Sequence, residues 1–349
     1  MAEQKRYVYP FDEAYGLGKE ILGGKGAGLA EMTHIGVPVP EGFTISTEAC
    51  TLYYQSGKVI PEFVQKQIFD AIARVEKQTG KTFGGEHNPL LVSVRSGARV
   101  SMPGMMDTIL NLGLNEVTAA ALAKETGNER FAMDSYRRFI LMFTNIAKGH
   151  PRDAMDKMLE KIKEDNGYKL DTEVTVDQLK DLVKRYKEYY KNTFGEEFPT
   201  DPKVQLMEAV AAVFRSWDNP RANIYRMQYS IPYEWGTAVN VQSMAFGNKG
   251  ETKGVSVIGY QTEELPAFYT RHSGFKVDYR MDSPEELAAA FQAKLDCGLK
   301  GGMLVTNPIP EEYSMPKEQI DKAIEQALKE MDEAGIHGKQ CTPDRKSVV

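Results

Sequence analysis

Two arginines, Arg95 and Arg99, stand in a run that passes from strand to loop: Leu91-Val92-Ser93-Val94-Arg95-Ser96-Gly97-Ala98-Arg99-Val100-Ser101-Met102-Pro103-Gly104-Met105-Met106-Asp107-Thr108-Ile109-Leu110. The run opens as a buried strand, Leu90 to Val94, breaks into Ser, Gly and Pro, and resumes as a second, partly apolar run, Ile109 to Leu114. Guanidinium groups set beside flexible backbone N–H groups suit an anionic ligand such as a phosphate, because both are fixed donors. From the residues alone two readings stay open, an anion site and a structural hairpin. A second candidate is Ile21-Leu22-Gly23-Gly24-Lys25-Gly26-Ala27-Gly28-Leu29-Ala30-Glu31-Met32, a Gly-rich turn opening a helix that ends near His34-Ile35-Gly36. Such a turn can bind anions through free N–H groups and the helix dipole. A plain turn is the simpler reading. Lys25 is followed by Gly26, not Ser or Thr, so the run is not a P-loop, and it is not a GxGxxG fingerprint either.

Around these runs the sequence predicts an α/β beginning. Arg6 to Pro10 and Gly42 to Ile45 read as strands and Thr47 to Ser56 as a helix. Pro61 to Gln78 is an amphipathic helix with Phe63, Val64, Ile68, Phe69, Ile72 and Val75 on one side, closed by Gly80. The character then changes. Val117–Thr126, Phe131–Ala147, Asp153–Asn166, Thr175–Phe194 and Pro202–Trp217 all read as helices, a helical subdomain inserted after the α/β start. The alternating charge of Asp177 to Lys191 is a solvated face, Tyr189-Tyr190 reads as packing, and Trp217 reads as a packed corner before Asp218-Asn219-Pro220. Ala238 to Phe246 alternates with period two and reads as a strand that places Gln242 on the same side as Asn240. Gly247-Asn248-Lys249-Gly250 is then a hairpin turn.

The totals set limits. A chain of 349 residues, 42% hydrophobic and 26% charged, builds two or three domains. A net charge of −6 leaves no basic excess for nucleic acid or a membrane surface. The three cysteines, Cys50, Cys297 and Cys341, form no CxxC and no Cys/His cluster, so no metal ligands are assigned. They fit a reducing, cytoplasmic compartment. Met1 to Arg6 is polar with no apolar stretch behind it, and no run reaches the ~18 apolar residues of a membrane span.

Long runs from about Arg6 to Thr252 resemble the N-terminal nucleotide-binding part of the pyruvate, phosphate dikinase family. They are Leu22 to Gly26, Val37 to Thr44, Leu91 to Leu114, Tyr136 to Ile140, Phe214 to Arg221 and Trp235 to Thr252. The resemblance implies an ATP-grasp fold, two α/β lobes closing on ATP with a helical subdomain between them. On this chain that fold is incomplete: an N-terminal lobe at 1–112, a helical subdomain at 113–200 and the truncated start of a second lobe at 201–252. It implies that Lys25 and Arg95 contact ATP phosphates, that Gly104, Met106, Asp107 and Thr108 lie along the nucleotide pocket, and that Gln242 lines it from the other lobe. It implies ATP with Mg²⁺ as cofactors and homo-oligomers as the family's assembly. The family converts ATP, phosphate and pyruvate into AMP, diphosphate and phosphoenolpyruvate through a phosphohistidine on a swivelling domain. Its acidic metal-binding strand, its Thr-Cys-His motif and its pyruvate-binding barrel have no counterpart here; none of His34, His87, His150, His272 and His337 stands in such a motif.

From about Val255 to Pro343 the resemblance is to a different family, pseudouridine-5′-phosphate glycosidase. It is carried by Val257 to Thr262, Leu265 to Arg271, Gly298 to Gly302 and Asn307 to Glu312. That family's lysine nucleophile, glutamate acid and metal-binding aspartate lie in segments before the stretch represented, so no glycosidase activity is expected, and Asn307 and Glu311 read as structural. The stretch 253–343 is a partial α/β fragment. Ser283-Pro284-Glu285-Glu286 caps a helix running to Cys297 and stopped by Gly298. Met303–Thr306 is a strand, and Pro316–Ala334 a helix with Ile320, Ala323, Ile324, Ala327, Leu328 and Met331 on one face, closed by Gly335. The two resemblances meet within Glu251-Thr252-Lys253-Gly254, and 344–349 resembles a translated sequencing adapter. The expectation is a chimeric frame, with a genuine gene fusion as the alternative. A chain that loses strands after its hairpin is also expected to leave a sheet edge and part of a core uncovered.

Overall fold

The computed structural model describes residues 5–102, 106–246, 255–267, 269–297 and 302–333. The chain divides into two compact units, Met1–Ala245 and Phe246–Val349. Both mix helices and strands, in keeping with the α/β class.

The first unit is built on a five-stranded sheet in the order β1-β2-β7-β5-β6. Its strands are β1 (Val8–Pro10), β2 (Gly42–Ile45), β5 (Val92–Gly97), β6 (Thr108–Leu112) and β7 (Ala238–Ser243), and every neighbouring pair is antiparallel. A short parallel pair, β3 (Thr82–Phe83) and β4 (Pro89–Leu90), stands beside it. Alternation decides the faces. Phe43, Val241, Val94 and Ile109 pair across four strands and are buried. One step along, Thr44, Asn240, Arg95 and Thr108 form the matching row on the opposite face.

The helices are α1 (Gly18–His34), α2 (Thr47–Gln55), α3 (Glu62–Thr79), α4 (Glu116–Thr126), α5 (Glu129–Ala147), α6 (Asp153–Asn166), α7 (Val176–Phe194), α8 (Pro202–Ser216) and α9 (Pro220–Gln228); α2 to α8 lie where the sequence places them, α1 begins before the Gly-rich turn, and for α9 the sequence indicates only a break or restart at Pro220. Their ends are set by local chemistry. Asn115, Thr175, Asp201 and Asn219 each accept a backbone N–H bond as N-caps, with proline following two of them. Gly80, at φ 66°, ends α3, whose Val64, Ile68, Ala71, Ile72 and Val75 face the core. Trp217 is buried and donates from Nε1 to the Tyr233 carbonyl at 2.9 Å, so the corner is packed. Tyr190 is buried too, and Tyr189 meets His150 Nε2 at 2.8 Å.

The second unit holds a parallel sheet, β10-β8-β9 in space, from β8 (Val255–Tyr260), β9 (Tyr279–Met281) and β10 (Gly302–Thr306). Its described residues include two α-helices, α10 (Pro284–Asp296) and α11 (Lys317–Glu333). Ser283 caps α10 by accepting from Glu286 N at 3.1 Å, and the Glu286 carboxylate accepts from Asp282 N at 2.8 Å. The long apolar face read along α11 is buried only at Ala327 and Met331, while Ile324 and Leu328 are exposed. No residue of α10 is buried. The hairpin at 247–250, the junction at 251–254, Gly298, Gly335 and the tail at 344–349 lie outside the described residues.

Candidate functional site

β5 is buried at every position except one, Arg95. Its neighbours explain why. Val94 turns into the core, so Arg95 turns to the polar face, level with Asn240 on one side and Thr108 on the other. An apolar strand that exposes a single guanidinium displays it on a surface rather than hiding it.

α1 lies across this polar face. It bends at Gly23, whose φ of 66° and ψ of 173° are not helical. A Cβ on Gly23 would overlap the Gly97 carbonyl oxygen, and the Gly24 N–H donates to the Ala98 carbonyl at 2.9 Å. At Gly26 a Cβ would sit 2.8 Å from Thr44 Oγ1 and 3.0 Å from Asn240 Oδ1. The glycines therefore permit contact between helix and sheet, and the contact brings Lys25 to Arg95. Burial first, and then the Arg95 charge, hold the Lys25 ammonium below the usual lysine range. Among the described residues neither cation has a carboxylate in ion-pair contact.

Under the helix, Thr44 Oγ1 donates to Asn240 Oδ1 at 2.8 Å. Sequence reasoning did not select either residue. The signal for Asn240 was present, a polar amide in phase with Gln242 on a valine strand; Thr44 had none.

The other expected residues are dispersed. Thr108 stands opposite Arg95, and Met106, half-buried, lies just before β6. Gly104 lies outside the described residues. Asp107 lines a cavity of about 640 Å³ with Tyr53, Lys148, Glu208, Arg215 and Ser216, which includes neither Lys25 nor Arg95. One step along an extended chain reverses side-chain direction, so Asp107 and Thr108 serve different faces. Gln242 shares the face of Asn240 and donates from Nε2 to the Pro40 carbonyl at 3.1 Å. It stands on the same sheet as Arg95, not across from it, because β7 inserts between β2 and β5.

The family described as "Pyruvate phosphate dikinase, AMP/ATP-binding domain" matches residues 19–66 and 58–259, more than half of the chain. The chain belongs to that family. The dikinase-family region is followed by a match to a second family, "Indigoidine synthase A like protein", over residues 248–345. Two families thus meet in one polypeptide, as the two resemblances required. Pyruvate, phosphate dikinase of Clostridium symbiosum is 57% identical over 253 residues, covering 72% of this chain and 29% of that protein. Chloroplastic pyruvate, phosphate dikinase 1 of Zea mays is 52% identical over 258 residues, 73% of this chain and 27% of its own. The protein of Rhizobium meliloti (strain 1021) is 48% identical over 256 residues, 72% and 28%. The chain therefore spans under a third of the length of these dikinases. Among solved structures, prealnumycin C-glycosynthase AlnA in complex with ribulose 5-phosphate is 35% identical, covering 28% of this chain and 32% of its own, with a TM-score of 0.26. Among the described residues, no helix is long and apolar enough to cross a membrane.

Proposed function

We propose that this chain is the ATP-binding portion of a pyruvate, phosphate dikinase and that it holds the ATP polyphosphate between Lys25 and Arg95. One observation carries the reading: the Gly23–Gly24 turn, packed on the Gly97 and Ala98 carbonyls, sets Lys25 of α1 beside Arg95, the single exposed position of β5. Like charges repel, so such a pair is unfavourable when empty and favourable around an anion. The Gly23–Gly24 turn adds backbone at the same place, and the helix from Lys25 onward directs its positive end there. Thr108 and Gln242 supply polar groups on the same face. Met106, two residues before Thr108, is the remaining expected residue on this side; Asp107 lines a separate cavity and Gly104 lies outside the described residues.

The chain's part in the chemistry is binding and orientation. Mg²⁺ neutralises the triphosphate in phosphoryl transfer. Among the described residues no three His, Cys, Asp or Glu side chains come together to hold such an ion, so no step is assigned to the protein through a metal. This portion binds the nucleotide and does not by itself complete the family's reaction, and its compartment is the cytoplasm. Family members are homo-oligomers, and no assembly is assigned to this chain. No activity is assigned to the glycosidase-like stretch, where Asn307 and Glu311 are exposed and read as structural.

Calorimetric titration with ATP, with and without Mg²⁺, tests the reading. Saturable binding that Lys25→Met and Arg95→Met each abolish supports it; no binding by the wild type, or binding indifferent to both changes, rejects it. Formation of phosphoenolpyruvate from the family's substrate set should be undetectable. Long-read sequencing across the codons for 245–260 decides between a chimeric frame and a gene fusion, since continuous genomic coverage excludes the former.

A further inference from the structure

Arg99 is the guanidinium of the central run that the polyphosphate site leaves unused. It lies two residues past the end of β5, and its guanidinium carbon stands 5.2 Å from the centre of the Trp235 ring. Its Nε is buried with no hydrogen-bond partner among the described residues. The backbone around it is tied at two points and passes close to Gly24. The Ala98 carbonyl accepts from Gly24 N at 2.9 Å, and the Ser101 carbonyl accepts from the Tyr225 hydroxyl at 3.3 Å. The Arg99 carbonyl oxygen would be 3.6 Å from a Cβ on Gly24. Trp235 in turn ends the short 3-10 turn before β7, whose first residue, Ala238, pairs with Gly97. Both ends of the stack are thus rooted in the strands that carry Arg95 and Asn240.

We propose that Arg99 is a positioning residue for the nucleotide site: set over Trp235, it fixes residues 98–101 against the Gly23–Gly24 turn and so sets Lys25 relative to Arg95. This rests on the reading that those two cations hold the nucleotide. A guanidinium meant for phosphate keeps its edge donors open to solvent; Arg99 has its Nε buried and its guanidinium over an indole, so its charge is spent on position. Fixing the Gly97 and Ala98 carbonyls fixes the turn that lies on them, and Lys25 follows directly after that turn.

The test uses the full chain with Arg99→Ala, Arg99→Lys, Trp235→Leu, Trp235→Phe and the double variant Arg99→Ala/Trp235→Leu. Hydrogen exchange without nucleotide should rise at least about tenfold at residues 96–102 and 22–26 in Arg99→Ala and Trp235→Leu, with α7 unchanged. ATP affinity should fall about tenfold in each of those two, no further in the double variant, because one contact is lost in all three. Trp235→Phe should restore it and Arg99→Lys should not, since an ammonium lacks the planar face. Trp235→Leu carries no change of charge, so wild-type affinity there beside a weakened Arg99→Ala would make Arg99 a direct phosphate ligand and overturn the proposal. Additive losses would overturn it too. Should the wild type bind no ATP, the nucleotide reading falls by itself, and the exchange measurement still decides the stack: unchanged exchange in Trp235→Leu rejects it.

Discussion

Gly23 and Gly97 touch backbone to backbone, so closely that a side chain on Gly23 would overlap the Gly97 carbonyl oxygen. The backbone at Gly23, φ 66° and ψ 173°, belongs to a region that only glycine occupies freely. Steric overlap and strain act together, so Gly23→Ala should cost more than about 3 kcal/mol and remove ATP binding, because α1 can no longer lie on the sheet. Gly28 is in the same helix with open space around it. There alanine should stabilise by about 0.5–1 kcal/mol through helix propensity. Urea unfolding of the two variants checks this; similar costs at both positions would show that the contact does not hold α1.

That contrast also shows where the sequence stops being legible. Glycines 23, 24, 26 and 28 look alike in the chain, and only the sheet beneath them assigns Gly23 to a kink pressed on the Gly97 carbonyl, Gly26 to close approach, Gly24 to ordinary contact and Gly28 to open space. The alternation over Ala238 to Phe246 was legible as the strand Ala238–Ser243, because turning Val239 and Val241 to one face puts Asn240 and Gln242 together on the other, where Asn240 is buried beneath α1. Its place in the sheet was not, since the pairing of β7 with β2 and β5 joins residues far apart in sequence. The apolar run Leu90–Val94 marked a strand, yet β5 continues through Arg95 to Gly97, where hydrophobicity gives no sign. Helices were legible nearly to their ends, their caps being local.

Lys25 links the site to pH. Burial and Arg95 depress its pKa, so the protonated form is disfavoured in the fold. That penalty is present at neutral pH and is relieved as pH rises through the lowered folded value. Lys25→Met should therefore leave the neutral-pH melting temperature unchanged or higher, with the gain shrinking in alkali. A bound triphosphate reverses the sign by stabilising the ammonium. ATP affinity should fall as pH rises through the free protein's Lys25 pKa, below the usual lysine range, with proton uptake on binding. Titrations in buffers of different ionisation enthalpy measure that uptake. Lys25→Arg should move the decline to higher pH, and an affinity flat across the alkaline range would contradict the assignment.

In the helical part, Arg137 is buried and bonds Asp134 at 2.8 Å and Asp171 at 3.0 Å, and Asp171 also meets Lys163 at 3.3 Å. Burial alone would raise the Asp171 pKa, but Arg137 and Lys163 outweigh it and the net shift is downward. A carboxylate with a lowered folded pKa contributes stability above its unfolded value, and that contribution is lost as pH falls through the folded one. Asp171→Asn should cost about 1 kcal/mol at neutral pH, a small figure because the side chain is 36% exposed and water screens the pair. Wild type and variant should converge as the solution is acidified. Urea midpoints across the acid range give the comparison; parallel curves would place the acid sensitivity elsewhere.

The division into units predicts what truncation does. All five strands of the main sheet, with Lys25, Arg95 and Asn240, lie in the unit ending at Ala245. A chain ending at Phe246 should keep the ATP affinity of the full chain within about twofold. The second unit should behave differently. Parallel sheets are ordinarily covered on both faces, but Leu304 and Val305, adjacent on β10 and so pointing to opposite faces, are 49% and 44% exposed. Phe291 and Leu295 of α10 are exposed as well. Uncovered apolar surface of this kind binds hydrophobic dyes and promotes association. The full chain should therefore bind such a dye and self-associate with rising concentration, and truncation at Phe246 should remove most of both. Dye fluorescence and sedimentation of the two lengths measure it. Equal dye binding by both would locate the uncovered surface in the first unit, and an affinity loss of more than about tenfold on truncation would mean that the nucleotide site draws on residues after 246.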